Sequence, residues 1–140
     1  MNGVAREIAV KGLGQDARYW EALSQGRLEL PRCVACGRWR WPAPFRCGDC
    51  GSWSFDWQAV GMHGVIYSWT RTWHPFEGTE AFGSPFVTVS VALPQAGDIR
   101  LMGVLEGEGE PAIGAAVAGR VAEAEVYGRT IPGLRWAVSA

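Results

Sequence analysis

The sequence predicts a mostly β protein built from short, twisted strands, and three observations carry that expectation. The chain of 140 residues holds 8 Trp and 19 Gly, while runs of helix-forming residues are scarce. Apolar residues make up 48% of it, as in globular chains and unlike disordered ones. Beyond residue 58, apolar runs alternate with breaks that contain Gly or Pro. Aromatic side chains suit half-buried pleated surfaces, and glycines suit tight turns. Texture divides the chain into an N-terminal helical segment (1–30), a cysteine-bearing segment (31–57) and a strand-rich segment (58–140), with no internal repeat expected.

The first segment carries one short helix. Asp16 is placed to cap it and Gly26 to end it. Tyr19, Trp20 and Leu23 fall on one stripe at helical spacing. So short a helix must lean on something to persist. Tyr19 and Trp20 either dock it on the rest of the chain or face a partner. Met1–Lys11 mixes Arg6, Glu7 and Lys11 with no apolar core, so it does not read as a signal peptide. No apolar run reaches the roughly 18 residues of a membrane span. A cytoplasmic location is the resulting expectation. In that reducing setting cysteines bind metal more readily than they pair as disulfides.

The second segment holds all four cysteines as two C-x-x-C pairs, Cys33/Cys36 and Cys47/Cys50, each followed directly by a glycine, Gly37 and Gly51. A C-x-x-C turn aims two sulfurs at one point, and the glycine accepts the backbone conformation that the turn demands. Zinc takes four thiolates in a tetrahedron. Two matched turns joined by a short hairpin therefore predict a zinc ribbon, ahead of redox pairs or disulfides. With every coordination position filled by sulfur the Zn2+ is structural, and it replaces a core too small for this segment to build. No thiol then remains as a nucleophile. The two histidines, His63 and His74, sit in no catalytic pattern, and the chain lacks a G-x-S-x-G elbow, a P-loop and a dinucleotide fingerprint. Autonomous catalysis is not expected. A thioester hydrolase acting through His63 or His74 is the weakest reading.

The third segment shows strand-like runs at Gly64–Trp73, Phe86–Leu93, Ile99–Glu106 and Ala115–Val126, with a last short one near Leu134–Val138. Closing such strands into a small barrel removes their open edges. In the first run Tyr67, Trp69, Arg71 and Trp73 share one face by strict alternation, either as core with Arg71 at its margin or as a recognition surface. The connection 74–85 is too long for a tight hairpin. Its Phe76 and Phe82 either fold back on the barrel or cover a ligand or partner.

The formal net charge of -1 gives no global attraction to nucleic acid or an anionic membrane, so neither is an expected partner. Charge is nevertheless polarised. Between Arg27 and Cys50 stand Arg27, Arg32, Arg38, Arg40 and Arg46 against Glu29 and Asp49, whereas 98–125 is acidic. Arginine forks suit phosphate, and arginine with tryptophan suits a nucleotide. The alternative is a solvated hairpin with its tryptophans packed on neighbouring structure.

Together these features resemble the zinc-ribbon, OB-fold proteins associated with acyl-CoA enzymes. The resemblance rests on Tyr19-Trp20 with Leu23 and Gly26; on Arg32-Cys33-x-x-Cys36-Gly37, Pro42 and Pro44; and on Cys47-x-x-Cys50-Gly51-Ser52 and Trp57. It continues through Gly64–Thr70, Pro85-Phe86 and Ile113-Gly114, covering about residues 16–136. Phe86 stands where that family commonly has Tyr, and the 74–85 loop has its own sequence. The resemblance implies a rubredoxin-like zinc ribbon followed by a five-stranded OB-fold barrel. It also implies a small, non-catalytic accessory subunit in a hetero-oligomer with a thiolase-like partner, a thiolase or a sterol-carrier-type aldolase or thiolase. Such a subunit helps to bind or channel an acyl-CoA, with steroid side-chain, aromatic and short-chain acyl groups all compatible. Candidate CoA contacts are Arg32, Arg38, Arg40, Arg46, Arg71 and His74. Candidate partner contacts are Tyr19, Trp20, Trp73, Phe76 and Phe82. The competing reading is a module that binds single-stranded nucleic acid, since zinc ribbons and OB barrels both do so.

Overall fold

A computed structural model describes residues 14–139, so the expectations made for Met1–Lys11 lie outside the described residues. Two compact units are present, 14–61 with 95–99 and 62–94 with 100–139.

In the first unit a 3-10 turn (Gly14–Asp16) leads into helix α1 (Ala17–Ser24). Asp16 stands at the N-cap but makes no side-chain capping bond. Its Oδ2 instead accepts a hydrogen bond from the Trp20 indole at 3.3 Å. The helix ends on Gly26 at φ 78°, with Gly26 N–H donating to Leu23 O and Arg27 N–H to Ala22 O. That reverse turn needs a left-handed residue, which glycine supplies without strain. Tyr19, Ala22 and Leu23 face inward and are buried, together with Leu28 and Leu30. Strands β1 (Glu29–Cys33) and β2 (Phe55–Ala59) pair antiparallel, from Glu29 opposite Ala59 to Cys33 opposite Phe55. The cysteine segment is the excursion between them.

The second unit is a closed barrel of β3 (His63–Thr72), β4 (Phe86–Leu93), β5 (Ile99–Leu105), β6 (Ala116–Val126) and β7 (Arg129–Val138). The strands run β3-β4-β5-β7-β6 around it, closing through β3 and β6. Parallel pairing of β5 with β7 at Val104/Arg135 and Leu105/Trp136 completes the five-stranded Greek-key arrangement of an OB barrel. The last strand is twice the expected length. It is joined to β6 by Tyr127-Gly128, both with positive φ, 50° and 74°. Two such residues in a row form the hairpin turn whose twist matches the strands it links.

Trp136 fills the barrel interior and is fully buried, with Ile66, Val89, Val91, Leu101, Val117 and Leu134 around it. The backbone makes room for so large a ring. A Cβ on Gly103 would stand 2.6 Å from the indole, and one on Gly119 would stand 2.8 Å from it.

The expected alternation along β3 is interrupted. A register shift between Ile66 and Ser68 frees Tyr67 from the ladder. Beyond it Trp69 pairs with Val89 and Arg71 with Val87, so both share the inward face of those residues. Tyr67 is exposed instead, beneath the Arg100 guanidinium at 3.6 Å. The single face expected for Tyr67, Trp69, Arg71 and Trp73 is therefore corrected by a bulge, which adds one residue and turns Tyr67 outward.

Candidate metal centre

The ribbon places four sulfurs together. Every Sγ of Cys33, Cys36, Cys47 and Cys50 lies within 4.8 Å of the others, with Cys33–Cys50 at 3.5 Å and Cys36–Cys47 at 3.7 Å. A zinc–sulfur bond of about 2.3 Å puts tetrahedral sulfurs about 3.8 Å apart, so the four fit one zinc ion. Each knuckle is locked the same way. Gly37 N–H donates to Cys33 O and Gly51 N–H to Cys47 O, both at 2.9 Å. Cys33 N–H donates to Arg38 O and Cys47 N–H to Ser52 O, both at 2.8 Å. Gly37 and Gly51 take φ 75° and 79°, which a side chain would strain.

Local dipoles already favour thiolates at part of the site. The Cys36 backbone N–H holds the Cys33 thiol below its ordinary range. The Cys50 backbone N–H, and then the Arg40 guanidinium, pull Cys47 down to about 6. Cys50 gains the Ser52 backbone N–H, which lowers it, but the three neighbouring sulfurs and burial leave it pushed up to about 11. A bound zinc ion supplies the positive charge that lets all four ionise together. Four thiolates leave no open coordination position, so the centre cross-links the fold and offers no reactive metal-bound water.

The arginines expected to face phosphate are engaged within the ribbon. Arg38 and Arg40 both pair with Asp49, the former at 3.1 Å. Arg32 donates Nε–H to Gly37 O at 2.6 Å and lies 5.4 Å from the Trp39 ring centre. Arg46 donates Nε–H to Gly51 O at 2.9 Å and lies 5.7 Å from that of Trp53. The basic ribbon end is thus organised around its own backbone and Asp49. Tyr19 is buried against Trp20 and Trp41, at 5.2 and 4.5 Å between ring centres, and burial pushes its hydroxyl pKa well up. It packs the unit internally, while Trp20 is half-buried.

The remaining candidates lie in the barrel unit. Arg71 pairs with Glu110 at 3.1 Å and is flanked by Trp69 and Trp73, 5.4 and 6.0 Å from its guanidinium. The His74 ring meets Phe76 at 4.5 Å. Trp73 and Phe76 are exposed. Phe82 packs on Phe86 at 5.5 Å under the Arg135 guanidinium.

One feature escaped the reading by cysteines alone. Arg32–Trp39 reads RCVACGRW and Arg46–Trp53 reads RCGDCGSW, so the pattern R-C-x-x-C-G-x-W occurs twice. The expectation of no internal repeat is corrected by this pair. The signal was present in the sequence, and the matching hydrogen bonds give it physical meaning.

Fold and site define a zinc ribbon joined to an OB barrel. Residues 20–56 match the profile of the family described as "ChsH2, rubredoxin-like zinc ribbon domain". A solved "Ltp2-ChsH2(DUF35) aldolase" superposes with a TM-score of 0.74 at 29% identity, covering 91% of this chain and 97% of that one. A DUF35-family protein of unknown function from Sulfolobus solfataricus superposes at 0.62 with 18% identity, covering 97% and 94%, which shows the shared fold. A curated relative, "Probable enoyl-CoA hydratase alpha subunit" of Thermomonospora curvata, is 37% identical over 86 residues. That match takes in 59% of this chain, which spans about a quarter (26%) of the relative's length.

Proposed function

We propose that this chain is a non-catalytic accessory subunit that docks on a thiolase-fold partner and helps to hold or channel an acyl-CoA thioester. The observation that carries the reading is the near full-length likeness to a chain of an aldolase assembly that pairs Ltp2 with a ChsH2 (DUF35) component. The enoyl-CoA hydratase relative points to the same substrate class. The metal centre agrees, since it takes up the chain's four thiols and leaves none as a nucleophile. The partner supplies the reactive residue.

Within the barrel unit, Arg71 and His74 bring cationic and imidazole groups beside the exposed rings of Trp73 and Phe76. This is the region we assign to acyl-CoA or to the partner, because exposed aromatics beside arginine are the composition of recognition surfaces. Bulky acyl groups, steroid side-chain or aromatic, suit so aromatic a face. Thiols kept for zinc suit a reducing, cytoplasmic setting, and among the described residues no helix is long and apolar enough to cross a membrane.

Co-expression with a thiolase-like protein tests the reading. One complex in size-exclusion chromatography, with carbon–carbon cleavage or acyl transfer that needs both chains, is the expected result. Separate elution with activity independent of this chain ends the proposal. A salt-sensitive shift of single-stranded oligonucleotide would support the nucleic-acid reading in its place.

A further inference from the structure

We propose that Arg32 and Arg46 are latches of the zinc site: each closes its own knuckle, and together they set how tightly the metal is held. The inference is independent of the acyl-CoA reading, and it rests on the duplication of one geometry. Each arginine stands immediately before the first cysteine of its pair and reaches across the C-x-x-C turn. Each donates Nε–H to the carbonyl of the closing glycine, Gly37 at 2.6 Å and Gly51 at 2.9 Å. The tryptophan two residues after that glycine then covers the guanidinium, Trp39 at 5.4 Å and Trp53 at 5.7 Å.

The latch spans the turn that carries the ligands. The glycine it grips also donates its own N–H to the first cysteine's carbonyl, at 2.9 Å in both knuckles. The turn bearing two sulfurs is thereby tied at both ends to one arginine, by its backbone at the first cysteine and by its guanidinium at the closing glycine. Stacking on tryptophan limits the rotamers of a long side chain that would otherwise lose its hold to water. Both closing glycines are required for their positive φ, and at Gly51 a Cβ would also press on the Arg46 fork. A Cβ on Gly51 would stand 2.9 Å from Arg46 Nη2, and one on Gly37 would stand 3.8 Å from Arg32 Nη2. Four thiolates around one dication carry a double negative charge, and each guanidinium holds the closing glycine of a turn that bears two of them. Groups one step outside a metal's ligands tune its affinity by orienting those ligands, and their loss typically weakens binding about 10- to 100-fold. A surface arginine kept for phosphate has no need of a tryptophan lid and a glycine carbonyl, and the chain repeats that arrangement twice.

The test is zinc transfer from the full chain to a chromogenic chelator. Arg32→Lys and Arg46→Lys keep the charge and remove the planar fork. Each is expected to release zinc about tenfold faster than the parent, and the double variant faster than either. Arg27→Lys makes the same exchange in the same unit but away from both knuckles, where Arg27 pairs with Gln25 and Glu29, and it is expected to release zinc at the parent rate. Parent-like release from both Arg32→Lys and Arg46→Lys overturns the proposal, as does equal acceleration in Arg27→Lys. Should Arg32→Lys, which lies in β1, fail to fold, Arg46→Lys on its exposed hairpin decides the matter by the same comparison.

Discussion

The ribbon between β1 and β2 and the barrel beyond it are held by different forces. In the barrel a single buried tryptophan is wrapped by aliphatic side chains, and glycines at 103 and 119 make room for it. In the ribbon the centre is four sulfurs, and polar contacts arrange everything around them: glycine N–H groups, arginine forks and the Asp49 carboxylate. The difference teaches where each kind of residue carries weight. Apolar volume decides the barrel. Backbone conformation and donor geometry decide the ribbon, where a segment this short cannot bury enough surface to fold on that alone.

Removing the metal should break the comparison most sharply. Structural zinc contributes on the order of 10 kcal/mol at neutral pH. Cys36→Ser, or chelation of the parent chain, is expected to unfold the ribbon and leave the barrel's amide resonances in place. Simultaneous loss of both sets would show that the two regions share one source of stability. Next in size is Trp136→Ala, with an expected loss of about 3–5 kcal/mol in urea unfolding and no change in zinc content. Trp136→Phe should cost less, because the indole N–H is buried with no acceptor among the described residues. Gly119→Ala, which forces a methyl group against the Trp136 ring, should cost about 1–3 kcal/mol by the same measurement. The mildest probe is pH. A thiol held below its ordinary value favours the folded arrangement fully above that value, and the benefit is lost as pH falls through the lowered one. Zinc must displace the thiol protons, so with Cys50 pushed up to about 11 and Cys47 held at about 6, zinc affinity is expected to decline over the whole range from alkaline pH down to about 6, read by chelator competition. The barrel's urea midpoint should not follow that decline.

How much was legible in the sequence divides along the same line. The four cysteines declare themselves because thiolate coordination demands a spacing that few other roles share. Strands β3 to β6 fall within a residue or so of their expected bounds, since their apolar runs end at Gly or Pro. Strand β7 was expected to begin near Leu134 and begins at Arg129. Pro132 and Gly133 look like a break, yet they sit in the ladder opposite Glu123 and Ala122. The true turn, Tyr127-Gly128, lacks the Asn or Asp that usually marks it. The bulge at Tyr67 has no local signature either, because cross-strand register depends on partners far along the chain. The ribbon arginines were visible as charge but not as latches, since charge counts say nothing about which carbonyl a side chain reaches.

The doubled R-C-x-x-C-G-x-W pattern has a consequence for how such a centre arises. One copy holds two sulfurs, which is half of a coordination sphere. The ribbon is in that sense a homodimer of eight-residue halves joined into a single chain. Its two copies differ in their surroundings. Trp39 is packed so closely on Gly97 that a Cβ there would stand 3.2 Å from its ring, whereas Trp53 is 70% exposed. One half has been absorbed into the surrounding fold, and the other remains available to whatever meets the ribbon from outside.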